Sequence, residues 1–387
     1  MSTTGTTTRR SASTAAAELA QSADSPAHAM SAIYPWHRDA WAALQGLRER
    51  LPHAILFHGN QGIGKTAFAT AFAAALLCEA QRPDGHACGS CLSCGWFRQY
   101  SHPDYRRVRP EVFDEVDGDG DGNAGDGAAG AGDTTADEKA DAKSDGKKST
   151  RAPSKEIRID QIRALANFMN LSTHRRGKRV VLLYPAEALN GPSANALLKT
   201  LEEPPPDTVI LMVTDSIDRL LPTILSRCRQ FALRMPPAAE ALAWLTAQQV
   251  EQAAEWLAEQ GGAPLTALAQ ARLGARDLQD ELIATLITPS VDAALKTAER
   301  LQKTPLNALV MCMQRWQHDL CSVKLSGKVR YYPAYAQQLN RLAQGVSAER
   351  LLAMQAQLVQ RRAVAEHPLS AKLFIEDMLL DYSRLFC

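Results

Sequence analysis

The chain has 387 residues, enough for two or three domains, and its 45% hydrophobic content is typical of a globular protein with a real core. Its 43 lysines and arginines nearly balance 42 acidic residues, and the net charge of +1 gives no support to nucleic-acid binding through overall charge. No apolar run approaches the roughly 18 residues that a membrane span needs, so a membrane protein is also excluded.

Residues 1–31 are rich in serine, threonine and alanine and contain no hydrophobic segment. Small polar residues follow Arg9-Arg10, which argues against an export signal, whereas an organelle-import peptide is left open. We predict a disordered tail. We expect a cytoplasmic protein. In that compartment the four cysteines crowded into residues 78–94 suggest a metal site, and the four scattered ones suggest ordinary buried thiols.

The first strong motif has the order strand, glycine loop and helix. The apolar residues 54–57 predict a buried parallel strand, and the alanine-rich residues 67–77 predict a helix. Residues 59–66, called here the phosphate loop, lie between them with the spacing G-x-x-x-x-G-K-T. This context is the one in which such a loop binds phosphate, although a glycine-rich turn without a ligand is the plainer alternative.

Each residue type in the phosphate loop has a chemical reason. Gly59, Gly62 and Gly64 allow the backbone to turn its N–H groups toward phosphate oxygens. The N-terminus of the following helix adds positive potential. Lys65 can reach the terminal phosphates, and the Thr66 hydroxyl can ligate Mg²⁺. We predict that these five residues bind nucleotide.

Four cysteines follow the loop helix with the spacing C-x9-C-x2-C-x2-C. They are Cys78, Cys88, Cys91 and Cys94. Four thiolates within reach of one tetrahedral centre are typical of a closed, structural Zn²⁺ site. Reduced thiols without a metal and an iron–sulfur cluster are the alternatives. We predict structural zinc, with no catalytic role.

Residues 114–155 are dominated by glycine, aspartate, alanine and lysine, with almost no large apolar side chain. Such a segment buries too little surface to offset its ordering entropy, so we predict a disordered acidic insert. Residues 117–122 resemble the front of a calcium-binding EF-hand loop, but Ala128 stands where the loop requires glutamate. We do not expect calcium binding.

Further apolar runs at residues 105–108, 178–184 and 208–214 predict three more strands that alternate with helices. This alternation favours a parallel, doubly wound sheet covered on both faces. ATP-hydrolysing P-loop proteins place one or two acids directly after the second of their core strands. Here Tyr184-Pro185 occupies that place and the first acid is Glu187, so no metal-binding carboxylate is expected there.

The chain after residue 236 reads as helical throughout. Residues 239–259 predict one helical stretch, which Gly261-Gly262-Ala-Pro264 ends before another helix begins. From about residue 280 to 387, apolar residues recur at helical spacing, which we interpret as ordinary helix packing.

Taken together, these features resemble the clamp-loader branch of the AAA+ ATPases, from about residue 34 to the C-terminus apart from the acidic insert. The resemblance is carried by His53-Ala-Ile-Leu-Phe57, the four cysteines, His102-Pro-Asp-Tyr105, Ala194-Asn-Ala-Leu-Leu-Lys-Thr-Leu-Glu-Glu-Pro-Pro205 and Ser226-Arg-Cys228. It implies an α/β P-loop AAA+ domain with a parallel sheet, a small helical lid domain and an all-α C-terminal collar domain. We place these domains at 32–235, 236–279 and 280–387.

The resemblance also implies roles for individual residues. Arg227, in Ser-Arg-Cys, is similar to the arginine finger that acts in trans on the ATP of a neighbouring subunit, and a surface arginine is the plain alternative. Thr214 is similar to the sensor-1 residue of the nucleotide site. The four cysteines correspond to zinc ligands. Leu265 takes the place of the sensor-2 arginine that a motor subunit keeps.

These implications predict a non-motor subunit of the bacterial DNA polymerase III clamp loader, acting in DNA replication. It would form a hetero-oligomeric ring with gamma/tau and delta subunits and help to load the sliding clamp onto primed DNA. This chain would bind ATP with Mg²⁺ weakly or moderately and would hydrolyse it negligibly, within a holoenzyme that is a nucleotidyltransferase.

Two other functions fit the sequence less well. An ATP-hydrolysing subunit of gamma/tau type would need an acid at 184 or 185, and neither position has one. An independent zinc-dependent DNA-binding protein is less favoured, because Arg98, Arg106, Arg107 and Arg109 are not grouped on a helix that could read bases.

Overall fold

The computed structural model describes residues 33–116, 153–170, 177–274, 276–365 and 370–386. The predicted tail and most of the predicted acidic insert lie outside these ranges. The prediction of disorder is wrong for the first residues of the insert, because Asp114 belongs to the helix Val112–Val116. Its carboxylate accepts a 2.7 Å hydrogen bond from Nε of Arg109, whose side chain is buried. A buried guanidinium needs such a partner, which accounts for ordered chain at this point.

The described strands form one parallel sheet with the order β2-β3-β4-β1-β5. They are β1 (Ala54–His58), β2 (Tyr105–Val108), β3 (Arg179–Leu183), β4 (Thr208–Thr214) and β5 (Arg229–Ala232). The parallel sheet and four of its strands are as predicted. The prediction missed β5, an edge strand in which Arg229 and Gln230 are exposed, because an apolar run marks only buried strands.

Seven described helices surround the sheet. They are α1 (Arg38–Gly46), α2 (Lys65–Leu77), α3 (Leu92–Arg98), α4 (Val112–Val116), α5 (Ile159–Asn170), α6 (Gly191–Glu202) and α7 (Pro222–Leu225). Successive strand residues point to opposite faces of a sheet. Ile55 and Phe57 accordingly join a core with α1 and α2, whereas Leu56 joins a core with α5 and α6. Both faces of the sheet are therefore covered, as predicted.

A small set of helices, called here the lid group, follows the sheet. It comprises α8 (Ala238–Ala247), α9 (Ala253–Glu259) and α10 (Pro264–Leu273) around their own hydrophobic core. The predicted single helix over 239–259 is wrong, because the chain turns between α8 and α9. Gln249 and Gln252 take positive φ angles of 59° and 53° in that turn, which a continuous helix does not allow.

The remaining helices, called here the collar group, pack around one long central helix. They are α11 (Arg276–Ile287), α12 (Val291–Leu301), α13 (Leu306–Ser326), α14 (Ala336–Gln344), α15 (Ala348–Val364) and α16 (Ala371–Ser383). Trp316 on α13 donates its indole N–H to the Tyr382 hydroxyl at 2.9 Å, and that hydroxyl donates to the carbonyl of Leu286 at 2.9 Å. Both side chains are buried, so this chain of bonds fixes α11, α13 and α16 together.

One buried ion pair joins the lid group to the collar group. Glu259 at the end of α9 accepts a 2.5 Å hydrogen bond from Arg276 at the start of α11, and the Arg276 guanidinium also lies 4.1 Å from the Trp256 ring centre. Burial raises the pKa of Glu259, and the charge of Arg276 opposes that rise. None of the helices in the described ranges has both the length and the hydrophobicity that crossing a bilayer requires.

Candidate functional site

The phosphate loop joins β1 to α2, and its glycines are required by the backbone and by close neighbours. Gly62 and Gly64 have φ angles of 77° and 90°. A Cβ at Gly62 would lie 1.9 Å from the Thr266 hydroxyl oxygen, and one at Gly64 would lie 2.4 Å from the Tyr34 ring. Gly59, with φ of 151°, would meet the carbonyl oxygen of Leu233 at 2.2 Å. The loop therefore fits tightly between the N-terminal segment and the lid group.

Lys65, in the first turn of α2, is buried and bonded within the protein. Its ammonium donates to the carbonyl of Asn60 at 2.6 Å and forms an ion pair with Asp215. Thr66, beside it, is half-buried. The charge that would meet a phosphate is thus already neutralised by a carboxylate of the same chain.

Sequence reasoning missed Asp215, although the topology contained the signal. Strand β4 lies next to β1 in the sheet, with Thr214 opposite His58. The carboxyl ends of parallel strands meet at one edge, so the residue after β4 lies beside the loop after β1. That is the place of Asp215.

Thr214 is fully buried at the end of β4 and bonds to a second carboxylate. Its hydroxyl donates to Oε2 of Glu187 at 2.7 Å, and the N–H of Asp215 donates to Oε1 at 3.0 Å. Glu187 belongs to the turn after β3, which follows the cis Tyr184–Pro185 peptide bond. The expected absence of an acid directly after β3 stands as a sequence fact. The same edge nevertheless holds Glu187 and Asp215, both bonded to protein groups.

The N-terminal segment and the lid group hold the loop from outside. The Leu265 N–H donates to the carbonyl of Gly62 at 3.0 Å, and the Trp36 indole N–H donates to that of Ile63 at 2.9 Å. Position 265 therefore lies on the loop, with a side chain that carries no charge. Three aromatic rings cover this contact: Tyr34 stacks on Trp36 at 5.0 Å, and Trp244 of α8 meets both edge-on at 5.7 and 5.5 Å.

His37, next to these rings, is a buried titratable group beside the loop. Its side chain meets the Phe68 ring edge-on at 5.2 Å, and both of its ring nitrogens are buried without a hydrogen-bond partner among the described residues. Burial, and then the positive charge of Lys65, lowers the pKa of His37 to about 4. His37 is therefore neutral at physiological pH.

The four predicted cysteine ligands converge on one point between α2 and α3. All four sulfur atoms lie within 4.8 Å of one another, and the Cys78–Cys91 and Cys88–Cys94 pairs are 3.9 Å apart. A tetrahedron with Zn–S bonds of about 2.3 Å has S–S edges of about 3.8 Å. The spacing of the sulfur atoms therefore fits a four-coordinate metal.

Backbone N–H groups point at these sulfur atoms. The N–H of Cys88 donates to Cys78 at 3.2 Å, that of Cys91 to Cys88 at 3.3 Å, and that of Cys94 to Cys91 at 3.4 Å. Hydrogen bonds from Ser90 and Cys91 lower the pKa of the Cys88 thiol to about 6, whereas burial raises the pKa of Cys78 and Cys94. A bound cation would offset that burial cost, so the donor set fits a metal such as zinc.

The motif His102-Pro-Asp-Tyr105 has a structural role beside this cluster. His102 accepts the N–H of Asp104 at Nδ1 (3.0 Å), and its Nε2 is 2.8 Å from the Ser93 hydroxyl. Nε2 therefore carries the proton and donates it to Ser93, whose hydroxyl donates in turn to the carbonyl of Leu77 at 2.6 Å. A serine that donates to a backbone carbonyl is not activated as a nucleophile, so the chain of bonds fixes α3 to the end of α2.

Arg227 lies between α7 and β5, with a side chain 33% exposed. It forms an ion pair of 2.5 Å with Glu202 at the end of α6, and its Nη1 donates to the carbonyl of Thr223 at 3.0 Å. In the described part of the chain no hydrogen bond or ion pair joins Arg227 to the phosphate loop. Two motifs that are distant in sequence, Leu-Glu-Glu and Ser-Arg-Cys, therefore meet at the surface.

Comparison with known proteins gives a consistent set of relatives. The family model described as "DNA polymerase III, delta subunit" matches residues 40–237. A DNA polymerase III subunit delta' from Pseudomonas aeruginosa is 32% identical over 92% of this chain and 99% of its own length. The subunit delta' of Haemophilus influenzae is 32% identical over 62% of each chain. The subunit tau of Escherichia coli is 29% identical over 48% of this chain and 22% of its own length.

Proposed function

The chain belongs to the DNA polymerase III delta prime family, and from this premise we propose that it is the non-motor subunit of a clamp loader. In this role it helps to load the sliding clamp onto primed DNA during replication. The subunit takes its place in a hetero-oligomeric ring with gamma/tau and delta subunits, through a collar domain at 280–387. We also propose an AAA+ domain at 32–235, a lid domain at 236–279 and a cytoplasmic location.

The observation that carries the non-motor part of the proposal is that Tyr184-Pro185 follows β3, where a motor needs an acid. The ion pair between the Lys65 ammonium and Asp215 supports it. Leu265 supplies an uncharged side chain on the loop. The loop keeps the backbone for binding phosphate, but no described carboxylate directly after β3 would hold Mg²⁺ and orient water. ATP with Mg²⁺ then binds weakly at Gly59, Gly62, Gly64, Lys65 and Thr66, with negligible hydrolysis.

Thr214 has a positioning role in this proposal. Its hydroxyl holds Glu187, and Glu187 in turn holds the N–H of Asp215. This chain of bonds fixes the residue that pairs with Lys65. Nucleotide must compete with Asp215 for the lysine, which accounts for weak binding.

The catalytic contribution of the chain is Arg227, donated to the ATP of a neighbouring gamma/tau subunit. Its pair with Glu202 is half-exposed, and such pairs contribute only about 0–1 kcal/mol. A phosphate offers a guanidinium stronger, charge-assisted hydrogen bonds. The exchange from Glu202 to a neighbour's phosphate is therefore favourable, and Glu202 keeps the side chain ordered until the subunits meet.

The decisive experiment is Arg227→Ala in the assembled complex. Removing an arginine finger lowers hydrolysis at its site by about 10³-fold or more, so clamp-stimulated ATPase and clamp loading should fall while assembly persists. Arg229→Ala, an exposed arginine two residues further on, is the matched control and should leave both unchanged. Native mass spectrometry checks assembly. Unchanged ATPase activity in an intact Arg227→Ala complex would contradict the proposal that Arg227 is an arginine finger.

The alternative, an ATP-hydrolysing subunit of gamma/tau type, rests on the match to a tau subunit over 48% of this chain. Turnover of radiolabelled ATP by the isolated chain discriminates the two functions. A rate at the level of AAA+ motors that is lost in Lys65→Ala would establish the alternative. Turnover that persists in Lys65→Ala would come from a contaminant.

A further inference from the structure

A cavity of about 430 Å³ lies where the phosphate loop, the lid group and the collar group meet. Asn60 and Gln61 of the phosphate loop form one wall, and Met235 and the lid-group residues around Gln260 form another. Helices α13 and α15 and the loop that carries Arg330 and Tyr331 form the rest. Its lining, drawn from the described residues, includes three arginines and a histidine but no aspartate or glutamate. The side chains that line the cavity therefore carry a net positive charge.

The three arginines, Arg315, Arg330 and Arg362, differ from their neighbours in lacking a carboxylate. Arg361, adjacent to one of them, is paired with both Asp377 and Asp381. Across the described ranges, none of the three cavity arginines forms an ion pair. Arg315 instead donates to the side-chain oxygen of Gln260 at 2.9 Å, which orients its guanidinium without neutralising it.

A buried carboxylate fixes the loop that forms part of the cavity wall. Asp319 on α13 is fully buried and accepts three backbone hydrogen bonds, from Arg330 at 3.0 Å and from Tyr331 and Tyr332 at 2.8 Å each. These bonds fix the loop that supplies Arg330 and Tyr331 to the cavity wall. The Arg330 guanidinium lies 5.3 Å from the centre of the Tyr331 ring. The basic wall is therefore held in place before any ligand arrives.

We propose that this cavity binds a phosphate-bearing anion through Arg315, Arg330 and Arg362. A planar guanidinium matches the oxygens of a phosphate with two parallel hydrogen bonds, and a concave basic surface concentrates positive potential. Ligand sites of small molecules have volumes of about 300–1,000 Å³, a range that includes this cavity. Oε1 of Gln355 is buried in the wall and has no hydrogen-bond partner among the residues that the structure describes, so it would accept a hydroxyl or amino donor of the same ligand.

The ligand would contact the phosphate loop, the lid group and the collar group, which form different walls of the cavity. Asn60 and Gln61 precede Lys65 in the phosphate loop, so a ligand in the cavity contacts the outer side of that loop. The cavity is separate from the nucleotide site, which Tyr34 and Leu265 cover. Its phosphate could come from a free phosphate compound or from the backbone of a nucleic-acid strand.

The test measures anion binding to the full chain carrying Lys65→Ala, which removes binding at the phosphate loop. Inorganic tripolyphosphate is titrated by calorimetry in one arm, and a fluorescent single-stranded oligothymidylate by anisotropy in the other, both at low salt. Replacing Arg315 and Arg362 together by glutamine should weaken binding by about tenfold or more for each guanidinium. Arg341→Gln, an exposed collar arginine outside the cavity, matches the charge change of each single cavity variant and is their control.

Binding of tripolyphosphate alone, lost in the double variant, would assign the site to a free phosphate compound. Site-dependent binding of the oligonucleotide would assign it to a strand backbone. If neither anion binds, or if Arg341→Gln weakens binding as much as the cavity variants, the proposal is overturned. Should Arg315→Gln fail to fold, the exposed Arg362→Gln alone decides the outcome. Because the background lacks Lys65 and uses no partner subunit, the result is independent of the proposed clamp-loader function.

Discussion

The phosphate loop and the cysteine cluster are the two strongest motifs of the sequence. They differ in whether their ligand-binding groups are already paired within the protein. In the loop, the ammonium of Lys65 is engaged by Asp215 and by a backbone carbonyl. In the cluster, four sulfur atoms face a common centre, and the N–H groups around them favour negative charge. In the loop, the charge that would bind phosphate is paired within the chain, whereas in the cluster four thiols are grouped so that a cation would offset the cost of their burial.

This difference shows that a motif predicts which ligand a site can bind, whereas the residues packed around the motif determine how tightly the ligand binds. The cluster is assembled by residues close in sequence, so its ligand groups are fixed by local backbone geometry. The loop is surrounded by residues distant in sequence, which compete with its ligand. We therefore expect metal binding to be tight and nucleotide binding to be weak.

The largest expected effect is that of breaking the cluster. Cys91→Ser should abolish binding of one metal ion. Either this variant or removal of the metal should destabilise the cluster, because zinc contributes about 10–16 kcal/mol to the folding of small four-ligand peptides. Native mass spectrometry measures the ion, and hydrogen exchange should rise around the cluster. The half-buried Cys321, outside the cluster, gives the control variant Cys321→Ser. A chain without metal and with unchanged exchange would contradict the prediction, and visible absorption would indicate an iron–sulfur cluster instead.

An intermediate effect is expected from lowering the pH, which protonates His37 beside the phosphate loop. Its pKa falls from 6.5 to about 4 on folding, so the unfolded chain binds more protons between these values and stability is lost as pH falls through them. The full loss is about 3 kcal/mol. His37→Phe keeps the ring packing and removes the titration, so its free energy of unfolding should depend less on pH than that of the wild type. Equal pH dependence in both proteins would contradict the prediction.

The smallest expected effect concerns Asp215, the competitor of nucleotide. Asp215→Asn should strengthen ATP binding by about tenfold, because it frees Lys65 from a partly exposed ion pair. Fluorescence of Trp36 and Trp244, which cover the loop, provides the measurement. Asp218→Asn, an exposed acid in the following turn, is the control. If the two variants bind ATP alike, the ion pair does not limit affinity.

The sequence predicted the sheet, its covered faces and the cysteine cluster because each depends on local pattern. Buried strands show as apolar runs, and four cysteines at short spacing need only a turn to meet. The features that escaped prediction are contacts between residues distant in sequence and one exposed edge strand. Asp215 reaches Lys65 through strand order, Arg227 reaches Glu202 through the packing of α6 and α7, and β5 is exposed at an edge. Local composition does not show such contacts.

The bonds from Trp316 through Tyr382 to Leu286 have a consequence for synthesis of the chain. Residues 286 and 382 are 96 positions apart, so a ribosome adding about 5–20 residues per second needs about 5–20 seconds to supply the second partner. Trp316 is made within that interval, 66 positions before Tyr382, so its indole lacks its hydrogen-bond partner for about 3–13 seconds of it. The collar core is therefore completed late in translation, and any partner that binds this region meets a finished surface only after α16 has emerged.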